Sequence, residues 1–297
     1  METFETYRGY LFAIAYRMLG SAMDAEDMVQ ETFLRYQTHK PEHVDSLKAY
    51  LTTILTRLCM DQLQLARRKR ELYVGPWLPE PLHAAEADET GASIVSADPE
   101  KRVDTQESIS LAFLTLLEEL QPFERAVFLL REVFDYEFAE IAAILEKSEA
   151  ACRRSFSRAK LHLQAHRPRF PASTETYQRL LTGFYRAVQG GDMAALTGML
   201  AEDVALWADA GGKVKGAASR PVFGRDHVAR FILGTSRFLP ENADAETLAE
   251  LGEINGQTAL IFRTGDQIFF VLTVDLDDEG RVQTIRILAN PDKLARV

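Results

Sequence analysis

The sequence predicts a multi-domain fold: two all-α domains, the second ending in a helix-turn-helix, and a C-terminal α+β domain with a curved antiparallel sheet. Three observations lead to this fold class. Apolar residues recur at helical spacing through most of residues 7–166. Short apolar segments separated by turn residues follow in residues 204–289. Proline-bearing segments at 75–81 and 168–173 separate these regions.

The composition points to a cytoplasmic protein. The 297-residue chain has a net charge of −10, yet the segments LARRKR (65–70) and RRSFSRAK (153–160) are strongly basic. The acidic N-terminus METFETY is not a secretory signal, and the longest apolar run, IFFVLTV, is too short to span a bilayer. Cys59 and Cys152 form no metal-binding spacing and no disulfide framework. Nothing in the sequence requires a metal or a cofactor.

The first domain is predicted to contain three helices. Leu11, Ile14 and Met18 mark the first helix, which Gly20-Ser21 ends, and Ser21 or Asp24 is the expected N-cap of the second helix. The predicted helices cover residues 7–19, 24–37 and 47–70. The last of them ends on ARRKR, where the helix dipole favours cations.

The second domain is predicted to end in a helix-turn-helix. Its predicted helices cover residues 107–120, 122–134, 136–146 and 149–166. Ser148 is the expected N-cap of the last helix, in which Cys152, Phe156, Ala159 and Leu163 form the buried stripe. The exposed basic face is predicted to carry Ala151, Arg154, Ser155 and Arg158, with Arg153 and Lys160 beside it. An exposed basic face on the second helix indicates a DNA-reading helix.

The remaining residues are predicted to alternate between helices and strands. The predicted helices cover 174–189, 192–200 and 225–235, and the predicted strands cover 204–209, 246–254, 257–263, 267–275 and 282–289. The domain boundaries that follow are 1–72, an acidic linker at 73–106, 107–167, and 172–297.

These helical segments resemble, in order, the two domains of a bacterial extracytoplasmic-function sigma factor, over about residues 5–166. The segments that carry the resemblance are YLFAIAYRMLG, DAEDMVQETFLRY, SLKAYLTTILTRLCMDQLQLARRKR and the helix-turn-helix. The resemblance implies a non-enzymatic protein that binds core RNA polymerase, through the β′ clamp helices and the β flap, and directs it to promoters. The implied clamp-binding residues are Asp24, Asp27, Gln30, Glu31, Phe33 and Leu34.

The same resemblance implies two promoter-reading surfaces. The first reads the minus-ten element through the loop at 39–46 and through Lys48, Tyr50, Arg57, Arg67, Arg68 and Arg70. The second reads the minus-thirty-five element through Glu149, Ala151, Arg153, Arg154, Ser155 and Arg158. The family usually has glycine in the turn where Glu146-Lys147 stands here, so we expect a turn of a different type.

Three short motifs are similar to those of a subgroup that carries a fused C-terminal SnoaL-like domain, a cone-shaped α+β fold. They are WLPEP (77–81), DAGGK (209–213) and NPDKL (290–294). The resemblance implies that this domain regulates the sigma factor. We expect WLPEP to bind the C-terminal domain, with Lys213 near Glu80 and Trp77 in an apolar groove. The implied interdomain residues are Trp77, Leu78, Pro79, Glu80, Pro81, Asp209, Gly211, Gly212, Lys213, Asn290, Pro291, Asp292 and Lys293.

Two other functions fit parts of the sequence. One is a ligand-sensing transcription regulator that binds DNA without polymerase, and it has no need of the acidic face at 24–36. The other is a SnoaL-type cyclase or isomerase fused to DNA-binding helices, with Asp209, Asp226, His227 and Asp275 as candidate catalytic residues. A small apolar ligand of the C-terminal domain is a further candidate partner. The free protein is expected to be a monomer.

Overall fold

A computed structural model of the chain describes residues 3–39, 46–70, 72–83, 90, 109–166, 173–235 and 247–295. The predicted fold class is confirmed, with helices before residue 167 and helices with a sheet after it. The chain divides into two units. The first comprises Met1–Glu71 with Ala84–Arg167, and the second comprises Leu72–His83 with Pro168–Val297. Part of the predicted linker, residues 72–83, therefore groups with the C-terminal unit.

The described part of the first unit is helical. Its elements are α1 (Phe4–Leu19), α2 (Ala22–Thr38), α3 (Leu47–Arg70), α4 (Leu111–Leu117), α5 (Pro122–Phe128), a π-helical turn (Leu129–Val133), α6 (Phe138–Leu145) and α7 (Glu149–His166). Gly20 ends α1 at a φ of 67°, and the Ser21 hydroxyl accepts a hydrogen bond from the Asp24 amide to begin α2. These are the stop and start signals that the sequence predicted.

Helices α1 and α3 supply much of the core of this unit. Leu11, Ile14 and Leu51 are fully buried there. Arg125 of α5 is buried as well, and its Nη1 donates to the Met18 carbonyl at 2.6 Å and to the Glu118 carboxylate at 2.7 Å. A buried guanidinium needs such partners, because an unpaired one is costly. The two predicted helical domains thus pack against each other within one unit.

The second unit is an α+β domain, as predicted. Its elements are α8 (Thr174–Gln189), α9 (Met193–Met199), β1 (Leu200–Asp209), β2 (Val222–Phe223), α10 (Arg225–Thr235), β3 (Thr247–Ile254), β4 (Gln257–Thr264), β5 (Gln267–Leu276), β6 (Val282–Leu288) and α11 (Pro291–Leu294). Leu181 and Phe184 of α8 pack on one face of the sheet, with Leu206, Leu272 and Ile285.

The sheet is mixed, which corrects the prediction of an antiparallel one. The strand order is β2-β1-β6-β5-β4-β3, and β1 pairs in parallel with β6 while the other neighbours are antiparallel. The parallel pair is possible because no hairpin joins β1 to β6: β2, α10 and strands β3–β5 lie between them in the chain, and β6 ends the four-strand meander β3–β6. Irregular registers occur in the pairings of β1, β4 and β5 with their neighbours, and such irregularities bend a sheet.

Three element boundaries differ from the prediction. The helix predicted at 107–120 is regular only at Leu111–Leu117, and residues 107 and 108 lie outside the described part. The helix predicted at 122–134 changes to the π-helical turn after Phe128. The strand predicted at 204–209 begins at Leu200, because Leu200 already pairs with Val282 of β6. Among the described residues, no helix combines the length and apolar character needed to cross a membrane.

Candidate functional sites

The outer face of α2 is the candidate polymerase-binding surface. Asp27, Gln30 and Leu34 are exposed, and Glu31 is partly exposed and pairs with Arg35 at 2.8 Å. Ala25, Val29 and Thr32 turn inward. The four outward residues recur at helical spacing, so they lie on one surface.

Two residues of the implied clamp-binding set have partners inside the first unit. The Phe33 ring lies 4.9 Å from the Phe4 ring of α1, and the Asp24 carboxylate accepts a hydrogen bond from Gln62 at 3.3 Å. Met23, which the sequence analysis did not single out, is 55 % exposed on the same side as Asp27. Met23 lies four residues before Asp27, and this helical spacing could have identified it as a member of the candidate polymerase-binding surface.

Two implied minus-ten residues of α3 contact the second helical domain. The Lys48 ammonium lies 4.2 Å from the Tyr10 ring centroid and 5.8 Å from that of Tyr136. Arg57 forms an ion pair with Glu146 at 2.9 Å and donates to the Ile144 carbonyl at 3.3 Å. These cations are therefore engaged with residues near the helix-turn-helix.

A chain of hydroxyl groups lies beside these cations. Tyr136 is buried, and its hydroxyl is 3.1 Å from that of Tyr10 and 3.0 Å from that of Thr52. Burial raises the pKa of Tyr10 far above its usual range, and the Tyr136 hydroxyl adds to the effect. The Tyr10 phenol therefore stays neutral, and the three hydroxyls form hydrogen bonds between α1, α3 and the loop before α6.

Of the other implied minus-ten residues, the structure describes the side chain of Tyr50 but not those of the three arginines. Tyr50 lies 6.4 Å from the Tyr36 ring and donates to the His39 carbonyl at 3.4 Å. The loop residues 40–45 lie outside the described residues. Arg67, Arg68 and Arg70 fall in the last turn of α3, but their side chains lie outside the described part.

Helix α7 has the exposed basic face that a DNA-reading helix needs. Arg153, Arg154 and Arg158 are exposed. Arg153 pairs with Glu149 at 3.0 Å and lies 4.5 Å from the Phe138 ring, while Arg158 lies 3.5 Å from Glu124. Arg154 makes no ion pair with another described residue. It is thus the arginine most available to DNA.

Ser155 is a correction to the predicted DNA-reading face. Its side chain is fully buried, and its hydroxyl has no hydrogen-bond partner among the described residues. Ser155 follows Cys152 by three residues and precedes Ala159 by four, so it shares their buried stripe. The sequence analysis placed Ser155 on the opposite face, with Arg154 and Arg158. Ala151, at the edge of this stripe, remains partly exposed.

The turn before α7 keeps a left-handed residue despite the missing glycine. Glu146 has φ 52° and ψ 45°, and the Lys147 amide bonds to the Ala142 carbonyl at 3.0 Å. Ser148 then caps α7 as predicted, since its hydroxyl accepts from the Ala151 amide at 3.2 Å. Glu146 thus adopts the left-handed conformation that glycine usually supplies at the end of a helix.

Residues 72–83, which we call the docked segment, lie on the C-terminal domain. Asp209, at the end of β1, is fully buried and its carboxylate accepts from the Tyr73 hydroxyl at 2.5 Å and from the Leu78 amide at 2.8 Å. It also accepts from the Lys293 ammonium at 2.7 Å and the Gly211 amide at 3.2 Å. A buried carboxylate with this many donors is fully compensated.

Lys293 and Asn290 complete the contact from the C-terminal motif. The Lys293 ammonium donates to the Leu78 carbonyl and lies 4.1 Å from the Trp77 ring centroid. The Asn290 amide group donates to the Tyr73 hydroxyl at 2.9 Å, and its side-chain oxygen caps α11. We call Asp209, Asn290 and Lys293 the anchor residues. Burial and the Asp209 carboxylate raise the pKa of Tyr73 well above its usual range, so its hydroxyl stays a donor.

The two glycines of DAGGK allow close approach to these groups. Gly211 and Gly212 have φ values of 57° and 72°. A Cβ atom on Gly211 would lie 2.6 Å from the Asn290 side chain, and one on Gly212 would lie 3.0 Å from that of Val74. Both positions therefore need glycine for conformation and for space.

The far end of the docked segment is held by the β3–β4 turn. The Leu82 amide donates to the Asn255 side chain, and the Asn255 amide donates to the Leu82 carbonyl, both at 2.9 Å. His83 forms a β-bridge with Ile254. Leu78, Glu80 and Leu82 are buried. The ion pair that Lys213 forms is with Asp292, whereas the sequence analysis placed Glu80 near it.

Tyr73 and Asn255 were missed by the sequence analysis. Tyr73 precedes the quoted WLPEP motif, and Asn255 was read only as a turn residue. An aromatic residue with a hydroxyl just before a proline-rich segment was the available signal for Tyr73. Nothing local marked Asn255 as more than the left-handed residue of a hairpin turn.

The candidate catalytic residues do not meet in a common site. A cavity of about 690 Å³ lies between the sheet and helices α8 and α10, and none of the four candidates is among its described lining residues. Asp209 is an anchor residue, Asp275 pairs with Arg286 at 2.5 Å, and Asp226 and His227 are on α10. Among the described residues, no cluster of His, Cys, Asp or Glu is arranged to hold a metal ion.

Both predicted DNA-binding regions match family models. The Sigma-70 region 2 model matches residues 3–70, and the Sigma-70 region 4 model matches residues 110–163.

Similar proteins span almost the whole chain. The ECF RNA polymerase sigma factor SigJ of Mycobacterium tuberculosis is 36% identical over 305 residues, covering 99% of this chain and 92% of the relative. The probable ECF RNA polymerase sigma factor SigI of the same species is 31% identical over 290 residues, covering 97% and 92%. The crystal structure of the M. tuberculosis extracytoplasmic function sigma factor SigJ matches with a TM-score of 0.74 and 31% identity, covering 99% of this chain and 97% of that chain.

Proposed function

The chain belongs to the extracytoplasmic-function RNA polymerase sigma factors, and on that premise we propose that its SnoaL-like domain restrains transcription by binding the docked segment. As a member of this family the protein binds core RNA polymerase and promoter DNA. Its relatives are sigma factors, which are not enzymes. The finer assignments below go beyond family membership.

The exposed face of α2 is the surface that we assign to the polymerase clamp. Asp27, Gln30, Glu31 and Leu34 combine charge, an amide and an apolar side chain on one side of the helix. Mixed polar and apolar surfaces of this kind suit a protein partner. A regulator that acts on DNA alone would have no use for this face, and membership in the family removes that alternative.

Arg154 and Arg158 of α7 are the side chains that we assign to the minus-thirty-five element. Both are exposed on the recognition helix of the helix-turn-helix. Arginine donates two hydrogen bonds to a guanine edge in the major groove, and it also neutralises phosphate. Arg153 already pairs with Glu149 and contacts Phe138, so we assign it a positioning role.

In the free protein, the minus-ten surface is partly occupied by the protein itself. Lys48 and Arg57 contact Tyr136, Ile144 and Glu146 of the second helical domain. These contacts are partly exposed and modest in free energy, on the order of 1 kcal/mol each. We propose that promoter binding requires their exchange for contacts with DNA.

The observation that carries the regulatory proposal is the Asp209 carboxylate with its donors from the docked segment. The docked segment begins two residues after the end of α3, the helix that carries the minus-ten residues. When the segment is bound, residues 72–83 are held on the C-terminal domain and are not part of the connection between the two DNA-reading parts. Release returns these residues to the connection, and we expect release to raise promoter-dependent transcription.

A reversible disulfide tests this proposal. Because a Cβ atom on Gly212 would lie 3.0 Å from the Val74 Cβ, a Val74→Cys, Gly212→Cys variant places two thiols within disulfide reach after a small shift. Cys59 and Cys152 are buried and do not compete. Oxidation should lower transcription by reconstituted holoenzyme, and reduction should restore it.

The matched controls are the single variants Val74→Cys and Gly212→Cys, and the second carries the strain of a side chain at a φ of 72° without the cross-link. The activity of neither control should respond to the redox state. Mass spectrometry confirms the cross-link. Equal transcription from the oxidised and reduced double variant would contradict the proposal, because a permanently docked segment would then impose no restraint.

A further inference from the structure

The C-terminal domain encloses a cavity that the proposed restraint does not use. Its volume is about 690 Å³, within the range of sites for small organic molecules. Its walls include Phe184 and Tyr185 of α8, Phe231 of α10, and Phe262 and Phe270 of the sheet. The Phe262 and Phe270 rings stack at 3.9 Å, and the Tyr185 ring meets Phe262 edge-on at 5.7 Å. Aromatic walls of this kind favour flat apolar molecules.

Lys215 gives the cavity a single charged group among its described lining residues. It is exposed on the loop after DAGGK and makes no ion pair with another described residue. No carboxylate is present among the described lining residues. An unpaired cation beside apolar walls complements a molecule with an apolar body and one anionic group.

We propose that this cavity binds a flat aromatic amphiphile bearing one acidic group, and that its binding stabilises attachment of the docked segment. The first part concerns the domain alone. The second part rests on the proposed function, since it makes the docked segment the element that the ligand controls.

The coupling follows from the alternation of side chains along β1 and β6. Ala208 lines the cavity, and the next residue, Asp209, holds the docked segment from the other face. After the end of β6, Ala289 lines the cavity and Asn290 holds Tyr73. The strand period of two places the Ala208 and Asp209 side chains on opposite faces of β1. Just after β6, the Ala289 and Asn290 side chains divide between the cavity and the docked segment in the same way.

The backbone joins these two strand ends directly. The Ala289 and Asn290 amides donate to the Asp209 carbonyl at 2.7 and 3.0 Å. A molecule that contacts Ala208 and Ala289 therefore stabilises the positions of Asp209 and Asn290. Binding equilibria that are coupled affect each other equally. If the ligand raises the equilibrium constant for attachment of the docked segment by some factor, attachment of the segment must raise the affinity for the ligand by the same factor.

The binding experiment uses 1-pyrenebutyrate as the probe and neutral 1-pyrenebutanol as its matched partner, with pyrene fluorescence as the readout. The full-length protein should bind pyrenebutyrate at one site. Lys215→Gln should weaken its binding about fivefold, the effect of one partly exposed charge pair, and should leave pyrenebutanol unaffected. Lys215 is exposed, so this variant should fold normally.

Two variants fill the cavity from different sides. Val188→Trp acts from α8 and Ala217→Trp acts from the loop, and each should abolish binding of both probes. Far-ultraviolet circular dichroism identifies a variant that has not folded, in which case the other variant decides. Absence of pyrenebutyrate binding to the wild type would overturn the proposal. Binding that survives in a folded cavity-filled variant would also overturn it.

The coupling experiment uses hydrogen exchange without polymerase or DNA. Saturating pyrenebutyrate should slow exchange of the amides in residues 73–83. Asp209→Ala should weaken pyrenebutyrate binding by about five- to tenfold, within the usual range of coupling between sites. Unchanged exchange with unchanged affinity would overturn the coupling while leaving the cavity site intact. Failure of the disulfide experiment would instead count against the proposed restraint, so the two failures are distinguishable.

Discussion

Tyr73 and Asp209 show how a few polar contacts attach an otherwise apolar segment. The Tyr73 hydroxyl donates to Asp209 and accepts from Asn290, so it links two anchor residues. Asp209 is buried with a charge that Lys293 balances. The anchor residues therefore act as a set, and loss of one leaves the others with unmet hydrogen bonds.

Tyr73→Phe should loosen the docked segment without unfolding the domain. The lost hydroxyl should cost about 1–2 kcal/mol, which makes local opening of residues 73–83 roughly five to thirty times more frequent. Hydrogen exchange followed by mass spectrometry measures this change. Tyr185→Phe removes a hydroxyl that accepts a hydrogen bond from the exposed Gln189, away from the docked segment, and it serves as the control. Equal exchange in both variants would show that Tyr73 does not hold the segment.

Gly211→Ala should release the same segment through strain. The new Cβ atom would lie 2.6 Å from Asn290, and the φ of 57° is unfavourable for alanine. We expect a loss of about 2 kcal/mol in stability of the docked state. Gly234→Ala, in helix α10 with open space around it, should be neutral or slightly stabilising. Urea denaturation of both variants, together with exchange at residues 73–83, separates these outcomes.

Arg154 and Ser155 are neighbours in sequence, but we expect only the substitution of Arg154 to weaken DNA binding. Arg154→Ala should reduce binding to minus-thirty-five DNA by about 1–3 kcal/mol, since the side chain is exposed and free of ion pairs among the described residues. Ser155→Ala should leave DNA binding unchanged and stability equal or higher, because its buried hydroxyl has no described partner. Fluorescence anisotropy with labelled promoter duplexes tests both. Loss of binding in Ser155→Ala would restore Ser155 to the reading face.

At the scale of elements, the turn between α6 and α7 combines strain with an ion pair. Glu146 is in the left-handed conformation and pairs with Arg57. A carboxylate at this position adds the ion pair to α3 but gives up the conformational freedom of glycine. The strain arises because a residue with a side chain occupies a left-handed position in this turn, where glycine is more usual.

Glu146→Gly and Glu146→Ala separate these two effects. Both variants lose the ion pair with Arg57, but only glycine relieves the left-handed strain. The glycine variant should be more stable than the alanine variant by about 1 kcal/mol. Thermal or urea denaturation gives the comparison. If the two variants are equally stable, the left-handed position carries no strain.

The sequence determined most helices because their apolar spacing and caps are local. Ser21, Ser148 and Gly20 mark boundaries that the structure reproduces. The parallel pairing of β1 with β6 was not predictable, because it depends on contacts between residues far apart in the chain. Ser155 was misplaced because it was grouped with Arg154 and Arg158, although its position three residues after Cys152 and four before Ala159 puts it on the buried stripe.

The contact between the docked segment and the C-terminal domain could be predicted in part, because three of its pieces are local sequence motifs. WLPEP, DAGGK and NPDKL identified three pieces of the contact, and the structure brings Leu78, Asp209 and Lys293 within hydrogen-bonding distance. Tyr73 and Asn255 complete it from outside these motifs. Their roles depend on tertiary placement, which no local pattern records.

At the scale of the whole molecule, the protein is a sigma factor, and we propose that its C-terminal domain is a regulator carried in the same chain. The docked segment follows α3, the last helix of the first DNA-reading domain, and lies on the C-terminal domain. The regulator therefore acts by holding a part of the chain that connects the two DNA-reading domains. This is the central claim, and the three motifs at 77–81, 209–213 and 290–294 are its physical basis.

Reconstituted transcription with core RNA polymerase and a mixed promoter library tests this claim most directly. The assay compares the full-length protein, a chain ending at Ala289, and an Asp27→Ala, Glu31→Ala variant that should lose specific starts. The shortened chain lacks Asn290 and Lys293 but retains all six strands, so it should release the docked segment and produce more transcripts from the same starts. A shortened chain that transcribes no more than the full-length protein would contradict the account.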